Sequence, residues 1–149
     1  MLQRLLSIVE RTDWIQNRVE WRLSKHPGVT CLQGDAIPSS CVQRLSAVHD
    51  GPIGRPLIAF TDLPDRWTIL ASESIGSFFD GSLQTIPVHG SFHVGSPTEF
   101  IGHANAQNPK RELQYLMLHS DISDSITVWA PRGSPCFALW NVLLMFPFK

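Results

Sequence analysis

No run of apolar residues in this chain is long enough to cross a bilayer. The longest, Cys136 to Phe148, is broken by Asn141, and a spanning helix needs about 20 residues. The opening stretch MLQRLLSIVERTDW has an apolar core only from Leu5 to Val9, interrupted by Ser7 and closed by Glu10 and Arg11. That is shorter than a secretory h-region, so a cytoplasmic location is expected. Cysteine is scarce: Cys31, Cys41 and Cys136 are odd in number and widely spaced. Without an export signal they read as reduced thiols, and a Cys31–Cys41 pair is open only to an exported chain.

Charge of one sign is also missing. The net charge is −1, with basic and acidic residues interspersed. Phosphate backbones select a basic field, so no nucleic-acid partner is expected. No polybasic cluster in the sequence marks a membrane surface. Catalytic signatures are absent as well. There is no phosphate-cradling G-x-x-x-x-G-K-S/T, no G-x-G-x-x-G after a strand, no G-x-S-x-G elbow, and no C-x-x-C or H-E-x-x-H metal spacing.

What is present suits one globular domain over residues 1–149, with apolar residues making up 43% of the chain. Residues 1–50 read as mainly helical. Leu2, Leu5, Leu6 and Val9 recur at helical spacing, and Asp13 with Gln16 resembles a capping box. Ile15, Val19 and Leu23 form one stripe, with Trp14, Arg18 and Trp21 beside it. One kinked helix or two short ones are expected from Leu2 to Lys25, ended by His26-Pro27-Gly28. For Trp14 and Trp21 the favoured reading is packing on the core; the alternative is an aromatic anchor at an interface. A short extended piece is expected at Val29 to Leu32. A second helix starts at Ser39 or Ser40 as cap, shares a face through Val42, Leu45 and Val48, and stops at Asp50-Gly51.

From Leu57 the pattern turns to strands: LIAFTDL, then WTILAS, where Trp67, Ile69 and Ala71 alternate with Thr68 and Leu70, then SIGSFF. Asp80-Gly81 is a two-residue hairpin signal, since both central residues of such a turn need positive φ. SLQTIPV returns, with Pro87 at a strand end or sheet edge. ELQYLMLHS and SITVWAP are two more strands, and one short strand is expected around Phe92 to Val94. The last element, GSPCFALWNVLLMF, is a helix capped by Ser134 with Pro135 at its first position. It is apolar nearly all round and therefore buried on more than one side.

This order of strands and final helix resembles the pleckstrin-homology-like barrel and its small bacterial and GRAM-like relatives, over roughly the last ninety residues. The stretches that carry it are LIAFTDL, WTILASESIGSFFDGSLQTIPV, LQYLMLHS, SITVWAP and PCFALWNVLLMF. The resemblance implies an α+β fold, in which an antiparallel meander over 57–149 forms a PH-like barrel or bent sheet. A C-terminal helix caps it and the N-terminal helices pack alongside. Phosphoinositide-binding members carry a basic cluster between the first strands. Here that loop reads DLPDR, with Asp62 and Asp65 beside one Arg66. In size, compartment and lack of chemistry the chain is also similar to the cytoplasmic immunity proteins of bacterial toxin systems.

Three constellations bear on chemistry. His89, His93 and His103 fall in a Gly-rich segment, with His119 on an expected strand. A metal hydrolase built on 89–119 would bring three of them, with nearby carboxylates, to ligand distance. In an extended strand His89 and His93 lie roughly 13 Å apart, so loop and surface histidines are the expectation. Cys136 at a helix start is a candidate thiolate, but its apolar setting favours burial. The carboxylates Asp62, Asp65, Glu73, Asp80, Glu99, Glu112, Asp121 and Asp124 mostly mark turns.

The function expected is therefore a non-enzymatic protein-binding module. Its most concrete form is an immunity protein that neutralises a cognate toxin by steric occlusion. The alternatives are a lipid- or small-ligand-binding PH-like module and the metal hydrolase. The long segment 89–111 exceeds what a minimal barrel needs, and Glu99, Phe100, His103, Lys110 and Arg111 are its candidate partner contacts. No catalytic residue, metal or cofactor is expected, and the chain is expected to be a monomer or homodimer.

Overall fold

The computed structural model describes residues 8–89, 92–95 and 113–146. The architecture is α+β. Helix α1 (Ile8–Leu23) leads through the short strand β1 (Leu32–Gln33) and a 3-10 turn (Gly34–Ala36) to α2 (Ser39–Val48). The strands β2 (Pro56–Asp62), β3 (Arg66–Ala71), β4 (Ser74–Phe79) and β5 (Ser82–Pro87) follow as a meander. Then come β6 (Phe92–Gly95), β7 (Tyr115–Ser120), β8 (Ile126–Trp129) and the final helix α3 (Ser134–Leu143).

The strands form two antiparallel sheets, a five-stranded one in the order β1-β2-β3-β4-β5 and a three-stranded one in the order β6-β7-β8. Among the described residues no ladder joins the two sheets into a closed barrel. The β4–β5 hairpin turns at Asp80 and Gly81, with φ of 51° and 75°, the left-handed pair that this turn demands.

Both faces of the five-stranded sheet carry core residues, because alternate residues point to opposite sides. One face carries Ala59, Trp67 and Ile69, which pack with Ile37, Cys41 and Leu45 from α2 and its approach. Gly76 lies under this helix. A Cβ there would stand 2.3 Å from Leu45 Cδ1, so the missing side chain lets α2 sit close. The other face carries Ile58, Leu70, Ile75 and Ile86. It packs with Leu116, Leu118 and Val128 of the second sheet and with residues of α1 and α3. The helix α3 rests on α1 and reaches β6 and β7, with Cys136, Leu139 and Val142 fully buried.

Several local expectations are corrected. Asp13 lies within α1 rather than at its N-cap. Its carboxylate is taken instead by Arg55 Nη1 at 2.5 Å, a full charge partner that a helix-interior position leaves it free to meet. Trp14 and Trp21 are not in the core: they are 45% and 44% exposed. Among the described residues the core takes the Ile15–Val19 stripe of α1, and the tryptophans lie on the stripe beside it. Of the expected α2 face Leu45 is buried and Val42 partly so, but Val48 is exposed and Cys41 is buried in addition. The helix α2 is preceded by Pro38 and makes no side-chain cap bond, because both serines lie within its first turn. For α3 the N-cap is Gly133, at φ 88°, a backbone shape that Ser134 would adopt only with strain.

Candidate functional site

The most distinctive surface lies on α1. Successive helical residues turn by about 100°, so Arg11, Trp14, Arg18 and Trp21, spaced alternately three and four apart, form one stripe, and Lys25, in the turn after the helix, continues it. Ile15, Val19 and Leu23 take the core side. Asp13, Gln16 and Glu20 take the other flank. The helix is thus sorted by charge around its axis, which the interspersed linear sequence conceals.

The acidic flank is tied to the body. Arg55 Nη1 donates to Asp13 Oδ1 and, at 3.0 Å, to Gln16 Oε1. Gln16 Nε2 donates to Glu20 Oε1 at 3.1 Å. The basic flank gathers around an indole. Arg18 Cζ lies 4.9 Å from the Trp21 ring centroid, Lys25 Nζ 5.0 Å and Arg22 Cζ 5.4 Å. Each such contact is worth about 0.5–1 kcal/mol at an exposed site and more when water is removed. A partner that dries this face strengthens contacts that already exist. Tryptophan and arginine are also the residues that carry most binding energy at protein interfaces.

A second feature has some chemistry. A cavity of about 300 Å³ is lined by His49, Asp50, Glu73, Thr85 and His89 among others. One ring nitrogen, His49 Nδ1, is 2.9 Å from Thr85 Oγ1. Burial pushes the His49 pKa below its ordinary value and neighbouring His89 adds to this, while Asp50 opposes both. A neutral imidazole beside a hydroxyl is half of a nucleophilic site. Among the described residues no carboxylate is hydrogen-bonded to the other ring nitrogen of His49, so none of them orients it as a general base.

The histidines of the Gly-rich segment are only partly brought together. His89 belongs to the His49 cavity. His93 and His119 are direct cross-strand partners on β6 and β7, both exposed. His103 lies outside the described residues, as do the other expected partner contacts, Glu99, Phe100, Lys110 and Arg111. Among the described residues no group of three or more His, Cys, Asp or Glu side chains is placed to hold a metal ion. Cys136 is buried, with its thiol pKa pushed up to about 12 by desolvation, so it is no nucleophile. In the DLPDR loop the one cation is already engaged: Arg66 Nη2 donates to Asp62 Oδ2 at 2.6 Å, and its guanidinium lies 4.8 Å from the Trp129 ring centroid. Among the described residues no helix is long and apolar enough to cross a membrane.

No family model matches this chain, and no curated protein and no solved structure is significantly similar to it.

Sequence reasoning set Trp14, Arg18 and Trp21 on one stripe but put the tryptophans inside. The signal that they face outward was in the neighbouring charges. A stripe that continues as Arg11, Trp14, Arg18, Trp21 and Lys25 contains three cations, and Arg and Lys are seldom fully buried.

Proposed function

We propose that this chain is a non-enzymatic protein-binding module whose docking face is the tryptophan–cation stripe of α1. The observation that carries the reading is the exposure of Trp14 and Trp21, 45% and 44%, in a row with Arg18 and Lys25. Two indoles held half in water, one of them ringed by cations, are ready-made anchors for a partner surface rich in carboxylates. Neutralisation of a cognate toxin in the cytoplasm is the most concrete form of this activity: the stripe covers an acidic region around the toxin's site and blocks it sterically.

The scaffold attached to this proposal is PH-like. It is supported by the order of seven strands from Pro56 to Trp129, running as two antiparallel meanders, with an apolar helix after them. The already paired Arg66 of the DLPDR loop weighs against an anionic lipid headgroup as the ligand there.

The test is affinity capture from the source organism, with the captured protein then purified and its binding measured directly. W14A/W21A should weaken binding at least tenfold, and R18E/K25E should both weaken it and flatten its salt dependence. A partner that binds all three proteins equally well removes the α1 stripe from the account. Recovery of no stable protein partner at all removes the binding-module reading.

A further inference from the structure

We propose that His93 and His119 form a two-imidazole binding site for a divalent transition-metal ion of the Zn²⁺ or Ni²⁺ class. They are paired directly across the β6–β7 ladder. Directly opposed residues of an antiparallel pair project to the same face, with Cβ atoms about 4.5–5.5 Å apart. Metal–imidazole bonds of about 2.0–2.1 Å put two tetrahedral nitrogen ligands roughly 3.3 Å apart. Rings rooted at that Cβ spacing reach this separation by rotation alone, and both residues are exposed, so among the described residues nothing packed above them prevents it.

The strands under the pair are packed on the core. On the opposite face of the same strands, Phe92 and Leu118 are buried in the main core. The next register position brings in a supporting group. Leu118 pairs with Ile126, which sets Ser125 beside His119. His119 Nδ1 lies 2.7 Å from Ser125 Oγ. When Nδ1–H donates to that hydroxyl, Nε2 keeps its lone pair and points outward. This is the arrangement by which metal-binding histidines are held in the right tautomer.

Two ligands leave the remaining coordination positions to water. The ion is therefore exchangeable, and it can accept a further ligand from outside the chain. Neutral imidazole suits Zn²⁺, Ni²⁺ and Cu²⁺, whereas Mg²⁺ and Ca²⁺ prefer oxygen ligands.

The test is calorimetric titration of the full chain with Zn²⁺ and with Ni²⁺, together with H93A, H119A, S125A and H89A. One saturable ion per chain is expected. H93A and H119A should each weaken it by more than about tenfold, because loss of a supporting hydrogen bond alone costs about that much, and S125A should show that smaller loss. H89A should bind as the parent does, and excess Mg²⁺ should not compete. Thermal melts of the metal-free variants should match the parent, which separates ligand loss from misfolding. Affinity unchanged in H93A and H119A would mean an adventitious ion only and would overturn the proposal, as would the absence of saturable binding.

Discussion

The backbone N–H of Trp129 donates to Ser77 Oγ at 2.9 Å, across the junction of the two sheets. Thr68 Oγ1 donates to the carbonyl of the same Trp129, and Thr68 Oγ1 and Ser77 Oγ are 2.7 Å apart. One hydroxyl proton per residue closes the assignment. Thr68 uses its proton on Trp129, so Ser77 donates to Thr68, and the three groups form a ring of hydrogen bonds. Gln84 continues the row: its Oε1 accepts from the Thr127 N–H at 3.3 Å. Thr68, Ser77 and Gln84 are register neighbours across β3, β4 and β5. The free edge of β8, an open hydrogen-bonding template in other settings, is thus sealed by side chains from the face of the other sheet.

Removing a member of this ring should cost more than one average hydrogen bond, because its partners are left buried and unsatisfied. S77A is expected to destabilise the fold by about 1–3 kcal/mol, and T68V by a similar amount. The double variant should fall short of the sum, since both break the same ring. Urea midpoints would measure this. Additive losses, or losses under about half a kcal/mol, would show that the ring does not join the sheets.

The close approach of α2 to β4 predicts a size-dependent rescue. G76A places a methyl 2.3 Å from Leu45 Cδ1 and should destabilise by about 1–3 kcal/mol through overpacking. L45A alone opens a cavity at a fully buried position and should cost about 2–5 kcal/mol. Together the new methyl occupies part of that cavity, so the pair should cost less than the sum. A thermodynamic cycle on the four proteins reads this coupling directly.

The buried thiol of Cys136 gives a pH dependence with a definite sign. Its pKa is raised from the ordinary 9.0 to about 12, so the folded state holds this proton more tightly than the unfolded chain does. The associated stability is fully present below 9.0 and is lost as pH rises from there towards 12. The slope is at most about 1.4 kcal/mol per pH unit from this one group. C136A should show a shallower decline over the same alkaline range. Parallel curves for parent and variant would refute the assignment.

Local rules reach a long way in this chain. Alternation located the strands from Leu57 onward. The need for two positive φ angles placed a turn at Asp80-Gly81, and an all-round apolar pattern marked α3 as buried. Such features depend on residues within a few positions of each other, which a sequence shows directly. Other features rest on contacts between distant segments. Thr68 and Ser77 are polar residues on interior strands, and only the arrival of β8 explains them. Trp14 and Trp21 sit beside a core stripe, and their exposure depends on how much of α1 the body covers. His93 and His119 become neighbours through a register set by the buried residues between β6 and β7. Glu99, Phe100, His103, Lys110 and Arg111 belong to a segment whose residues carry neither strand nor helix periodicity.

By itself the sequence determined the class of fold, the order of its elements and the turns that join them, because propensity and periodicity act over short range. Only the tertiary structure decided which stripe of α1 meets solvent, how the edge of β8 is satisfied and which histidines stand together. Burial and register come from packing between segments far apart in the chain, and no local pattern encodes them.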